Sequence, residues 1–300
     1  MHRFKDVAVA VGLDGRDRTL IEYAELVAFM AHSDRVRFVH VRPTASALTA
    51  FSPEFAAPAA EVDPEIRRQL EALAAEQFHG PTNTHVEAEV VEGNPLAELL
   101  RASKDDEADL LVVGKDREGG TLAEKLARKA PCSVLIVPEE VPAQVERVLV
   151  PVDFSDHAAD AVDVAVAFAE AAALTEVHVL HVYGVPTAYL KLGKTRDEVR
   201  DVVRAQAARH LDAFVAKLDL HGLTAVAHVA EDEDVHRGIH DQIEALGADM
   251  VVIGTRGRTA TAAVLLGSVA EQTVRTAGVP VVAVKQKGAT VSLLNALFEL

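Results

Sequence analysis

Gly254, Gly257, Gly267 and Ser268 are spaced in a way that suits the binding of an anion. The apolar, β-branched run Met250-Val251-Val252-Ile253 ahead of them reads as a buried parallel strand, and the glycines begin where that run ends. After Ser268, apolar residues return at helical spacing through Val274; Ser268 reads as the N-cap of that helix, with Glu271 three residues on to complete a capping box. The order is therefore strand, glycine loop, helix start. Glycine lets backbone N–H groups approach an anion, and the first turn of a helix adds unpaired donors and the positive end of its dipole. Phosphate is the natural ligand of such a cradle. It is neither a P-loop, because no Gly-Lys-Ser/Thr follows, nor a dinucleotide fingerprint, because the glycine spacing differs. Taken alone, the same residues also describe an ordinary capped turn.

The cradle must be positioned by a domain, and the chain carries two. Val7–Val11 aligns with Val148–Val152 and Val36–Val41 with Val177–Val182, both at an offset of 141; Asp109–Gly114 aligns with Asp249–Gly254 at 140, and Glu124–Val137 with Glu271–Val284 at 147. An internal repeat of this length means two copies of one domain. Residues 1–140 form the first and 144–288 the second, separated by a polar stretch bounded by Pro138 and Pro142; an apolar tail occupies 289–300. Each copy alternates strands and helical patterns: strands at 5–11, 36–41, 85–91, 109–113 and 133–137 in the first, and at 147–152, 177–182, 225–230, 249–253 and 280–284 in the second. The intervening helices of the first copy fall near 17–31, 63–78, 94–104 and 121–129. Such alternation gives an α/β fold, a doubly wound five-stranded parallel sheet in each domain, because parallel neighbours need right-handed crossovers. Among such sheets the order 2-1-3-4-5 is the common one.

Composition bounds the partners. Thirty basic against 46 acidic residues leave a formal charge of -16, which argues against nucleic acid, since phosphate backbones are bound by clustered Lys and Arg. No apolar run reaches the length of a membrane span and the first residues lack a signal-peptide pattern, so the expected location is the cytoplasm. The single Cys132 excludes an intrachain disulfide and reads as a buried, inert thiol.

The pattern Gly254-x2-Gly257-x9-Gly267-Ser268 resembles the nucleotide-binding signature of the universal stress protein family in its ATP-binding members, with all four positions filled. The resemblance implies a tandem member, an adenine nucleotide alpha hydrolase-like fold of strand order 3-2-1-4-5, and ATP, with Mg²⁺, as cofactor of the second domain. Pro151-Val152-Asp153 resembles the family's opening motif, whose aspartate meets the nucleoside. Val182 matches the position whose backbone faces adenine, with Ile253 beside it. Gly254, Gly257, Gly267, Ser268 and Val269 correspond to residues lining the phosphates, and Arg256 or Arg258 could add charge-assisted contacts. Asp153, Ser155 or Asp156 also suits a helix N-cap. The first copy departs from the motif. Gly12 stands where Asp153 stands, and only five residues separate Gly114 from Gly120-Thr121 where the second copy has twelve between Gly254 and Gly267. Lys115, Asp116, Arg117 and Glu118 fill the shortened arm, and its acids would repel a triphosphate.

Other features have plain readings. His236 and His240, four apart, could face one metal but sit in an acidic helix start; His40 and His181 are repeat-equivalent core histidines; the loops 43–64 and 184–196 could cover the cleft or lie on the surface. No P-loop lysine, catalytic loop or paired metal-binding acids of a phosphoryl transferase are evident, so no catalytic residue and no protein metal site is assigned. The expected role is a nucleotide-dependent regulatory switch in stress response, acting on a protein partner not named by the sequence. A slow ATPase or autokinase using the same pocket is the alternative, as is a structural, metal- or lipid-binding scaffold without nucleotide. Pairing of the two fifth strands within the chain, and a homodimer, are the expected assembly.

Overall fold

In a computed structural model, residues 4–44, 59–105, 107–115, 121–186, 195–257 and 266–285 are described. Arg258, Asp116, Arg117, Glu118, Gly120 and the tail 289–300, all singled out above, lie outside them. The described residues divide into two units, one up to Gln144 and the other Val145–Lys285.

The first unit holds β1 (Asp6–Ala10), α1 (Arg18–Ala31), β2 (Arg35–Arg42), α2 (Ala59–Gln77), β3 (His85–Glu92), α3 (Pro95–Asp105), β4 (Leu110–Lys115), α4 (Thr121–Lys129) and β5 (Ser133–Pro138). Its strand order is β3-β2-β1-β4-β5, all parallel. The second holds β6 (Val148–Pro151), α5 (Asp156–Ala171), β7 (Glu176–Tyr183), α6 (Arg196–Val215), β8 (Thr224–Glu231), α7 (Val235–Leu246), β9 (Met250–Gly254), α8 (Ser268–Thr276) and β10 (Val281–Val284). Its order is β8-β7-β6-β9-β10, again parallel. Both are the order 3-2-1-4-5, so the first and fourth strands adjoin and the chain reverses direction across the sheet between them.

The continuous apolar runs explain this placement. Val7, Ala8 and Val9 of β1 and Met250 to Val252 of β9 are fully buried, because helices cover both faces of each sheet. Apolar burial stabilises by about 25 cal/mol per Å². In the first unit α1 packs with α2 and α3 with α4; in the second, α5 lies on β6 and β9 while α7 packs with α8. The repeat extends to its clamps. Asp109 at the entry to β4 accepts hydrogen bonds from the N–H groups of Lys5 (2.9 Å) and Asp6 (3.2 Å), and Asp249 at the entry to β9 accepts from those of Glu146 (2.7 Å) and Arg147 (3.0 Å). Each carboxylate pins the start of the first strand to the start of the fourth.

Two sequence expectations are corrected. The second helix begins at Ala59, ahead of the expected start near residue 63, so Pro64 lies inside α2 rather than closing the loop. Proline's fixed φ is compatible with a helix, and as the sixth residue of α2 Pro64 removes one rung of its hydrogen-bond ladder. The N-cap of α8 is Gly267, with extended φ −70° and ψ 152°; Ser268 is already helical and makes no side-chain cap.

Candidate functional site

The end of β6 and the end of β9 lie side by side at the switch point of the second sheet, where the crevice of an open α/β sheet forms. A cleft of about 540 Å³ opens there. Its lining includes all eleven residues selected from the sequence: Pro151, Val152, Asp153, Val182, Ile253, Gly254, Arg256, Gly257, Gly267, Ser268 and Val269. Ala158, Leu180, His181, Val235, Ile239 and Ala270 complete it.

One end is apolar, walled by Val182, Val235 and Ile239. The Val152 N–H donates to the Leu180 carbonyl (2.8 Å), so even-numbered residues of β7 turn their backbone groups toward β6. β6 ends at Pro151, and two residues beyond Leu180 the N–H and C=O of Val182 point past that end, into the cleft. The donor and the acceptor of one residue, side by side in this way, suit a ligand edge that carries an acceptor next to a donor.

The other end is the glycine cradle. Thr255, buried beneath it, donates its hydroxyl to the Val284 carbonyl (3.0 Å) and accepts the Gly267 N–H on its own carbonyl (2.8 Å). This staple brings both ends of the glycine arm to one point. From there α8 presents the N–H groups of Ser268, Val269 and Ala270, which precede the first intrahelical bond, Glu271 N–H to Gly267 C=O (2.9 Å). The cap correction strengthens the cradle: a glycine cap places no side-chain acceptor over these donors. A Cβ on Gly257 would stand 2.7 Å from Asp153 Oδ2, so this backbone position is filled by the carboxylate itself. A Cβ on Gly254 would stand 2.6 Å from the His157 carbonyl, which makes that glycine a packing requirement of α5 on β9.

Asp153 sits between the two ends, half-buried. The N-cap of α5 is Ser155, whose Oγ accepts from the Ala158 N–H (3.3 Å), so of the three capping candidates the serine holds the role. His181 and His40 each donate through Nδ1–H to a carbonyl, those of Val152 and Val11, both at 2.9 Å, satisfied as repeat-equivalent residues. His236 Nε2 meets Thr276 Oγ1 (3.1 Å) and His240 lies 3.8 Å from Glu244; among the described residues no group of three or more metal-ligating side chains gathers. Cys132 is buried.

The equivalent place in the first unit holds about 140 Å³. Arg16 crosses it, bonding Asp14 (Nε to Oδ2, 3.0 Å) and Glu139 (2.8 Å), and holds the Asp14 carboxyl below the usual carboxylate range. The buried Asp17 accepts from the N–H groups of Gly12 (2.7 Å) and Leu13 (2.8 Å), closing the β1–α1 loop on itself. Burial lowers the pKa of Lys115 at the end of β4.

The universal stress protein family model matches residues 3–138 and again 144–285, and the chain belongs to that family as a tandem of two copies. Among solved structures, a universal stress protein from Archaeoglobus fulgidus DSM 4304 is similar at 20% identity and a TM-score of 0.59, covering 94% of this chain and 98% of that one. A functionally unknown protein from Pseudomonas aeruginosa PAO1 (18%, 0.66) and a putative universal stress protein from Pseudomonas aeruginosa UCBPP-PA14 (19%, 0.64) each cover 99% of this chain and 98% of their own. These similarities show the shared fold. No curated protein sequence matches the chain. Membership of the family supports a role in stress response. Among the described residues no helix is long and apolar enough to cross a membrane.

Proposed function

We propose that this protein is a cytoplasmic nucleotide-binding regulator of the stress response that holds one adenine nucleotide, ATP, in the cleft of its second unit. The observation that carries the reading is the convergence, in one cleft, of a carboxylate, an apolar slot edged by free backbone groups, and a glycine cradle at a helix N-terminus. Its volume of about 540 Å³ falls within the roughly 300–1,000 Å³ of small-molecule sites. In this reading Val182 reads the base, the Asp153 carboxylate accepts hydrogen bonds from ribose or the adenine amino group, and the N–H groups of Ser268, Val269 and Ala270 with Arg256 take the phosphates. Mg²⁺ would be held chiefly by phosphate oxygens and water, as is usual for this ion, and would neutralise part of the triphosphate charge.

Binding rather than turnover suits the side chains present. The cradle end offers backbone donors, a serine and an arginine, and no described lysine or paired acids stand there to activate a nucleophile. Bound nucleotide then acts by favouring one surface over another for a protein partner, to the extent of its differential affinity for the two. Titration calorimetry with ATP tests this, with a stoichiometry near one per chain expected. No heat of binding and no nucleotide released from the freshly purified protein would overturn the reading; a stoichiometry near two would overturn its assignment to the second unit alone.

A further inference from the structure

The hydroxyl of Ser155 does two things at once. It donates to Asp153 Oδ1 at 2.6 Å, and it accepts the Ala158 N–H at 3.3 Å as the cap of α5. A hydroxyl has one proton, and here that proton is spent on the carboxylate while a lone pair serves the helix. The Ser155 N–H donates to the same Oδ1, at 3.1 Å. Both bonds therefore land on one oxygen of Asp153 and turn the other, Oδ2, toward Gly257. The intervening Phe154 has φ +66°, rare for an aromatic residue, and its ring is held against His181 (4.3 Å) and Phe214 (5.7 Å). That bend lets Ser155 face back onto Asp153. In the first unit Gly12 replaces the aspartate and Asp14 replaces the serine, so both the carboxylate and the group that orients it are missing together.

We propose that Ser155 is a positioning residue that aims the Asp153 carboxylate at the nucleoside, separately from its service as a helix cap. The role rests on the nucleotide reading of the cleft. Three substitutions separate the two duties. Ser155→Ala removes both; Ser155→Thr keeps both; Ser155→Asp keeps an N-cap acceptor but has no proton for Asp153 and sets a like charge beside it.

The measurements are calorimetric dissociation constants for ATP, adenosine and inorganic tripolyphosphate, with melting temperature as the gauge of capping. Ser155→Ala should weaken ATP and adenosine about tenfold, the order expected for a hydrogen bond to a charged group, and leave tripolyphosphate within about twofold. Ser155→Thr should bind like the wild type. Ser155→Asp should melt near the wild type yet bind adenosine at least as poorly as Ser155→Ala. Wild-type adenosine affinity in Ser155→Asp, or equal losses for adenosine and tripolyphosphate in Ser155→Ala, would overturn the positioning role while leaving nucleotide binding intact. If the unmodified protein binds neither ATP nor adenosine, the reading of the cleft falls and this role falls with it.

Discussion

Gly114 and Gly254 occupy the same place in the repeat, the end of the fourth strand of each unit, and their surroundings are opposite. A Cβ added to Gly254 would press into the His157 backbone, whereas one added to Gly114 meets nothing within 4 Å. The second unit draws the start of α5 down onto the strand end, so that Ser155, Asp153 and the glycine arm meet. In the first unit Asp17, with Ala158 as its counterpart, takes the loop N–H groups instead, and Arg16 spans the gap between Asp14 and Glu139. The two sheets are the same solution to burying parallel strands. A handful of residues at the strand ends leaves one crevice wide and the other narrow, with Arg16 across it, which is why shared fold and shared site are different claims.

The largest effect should come from filling the cradle. Gly257→Val is expected to lower ATP affinity at least about a hundredfold, or roughly 2.7 kcal/mol, with the melting temperature little changed. Calorimetry checks it, and retained affinity would break the assignment of the phosphate end. Next, Gly254→Ala should destabilise by about 1–3 kcal/mol through overpacking, while Gly114→Ala should stay within about 0.5 kcal/mol. Urea unfolding of the two variants measures the contrast directly; equal costs would mean that the two strand ends are packed alike.

A third test uses pH. His178 and His228 stack at 5.1 Å with Nδ1 of one 2.9 Å from Nε2 of the other, and burial lowers the pKa of both below the ordinary 6.5. The folded state thus favours the neutral pair, and the unfolded chain takes up protons first as the solution is acidified. The stability they contribute is complete above about pH 6.5 and is lost as pH falls below it. In the first unit the position of His178 is held by Arg37, buried and 3.2 Å from Asp6, so no histidine stands there. Hydrogen exchange at pH 7.5 and 5.5 should show protection falling in β7 and β8 and holding in β2 and β3. A uniform loss across both units would sink the idea.

The smallest effect is expected from Arg16→Ala. Its side chain is about half exposed, and exposed pairs contribute little, so no measurable shift in melting temperature and no gain of ATP binding should follow. A second equivalent of bound ATP in this variant would show that the ion pairs alone keep the first crevice shut.

Much of this was written in the chain's local pattern. Apolar runs that alternate with helical periods dictate parallel strands and crossover helices, because backbone groups and apolar side chains must both be satisfied. The offset near 141 residues dictates two copies. The glycine spacing and Asp153 marked the second crevice, since a close backbone approach leaves its trace in residue type. Only the tertiary structure decided that Gly267 rather than Ser268 caps α8, that Thr255 staples the arm, and that Val235 and Ile239 wall the apolar end. It likewise decided that Asp17 closes the loop of the first unit and that Ser155 holds Asp153. These depend on which oxygen or N–H lies within about 3 Å of another group. Serine, threonine and aspartate serve equally well as caps, staples or ligands, and the partner that chooses among these roles is supplied by the fold.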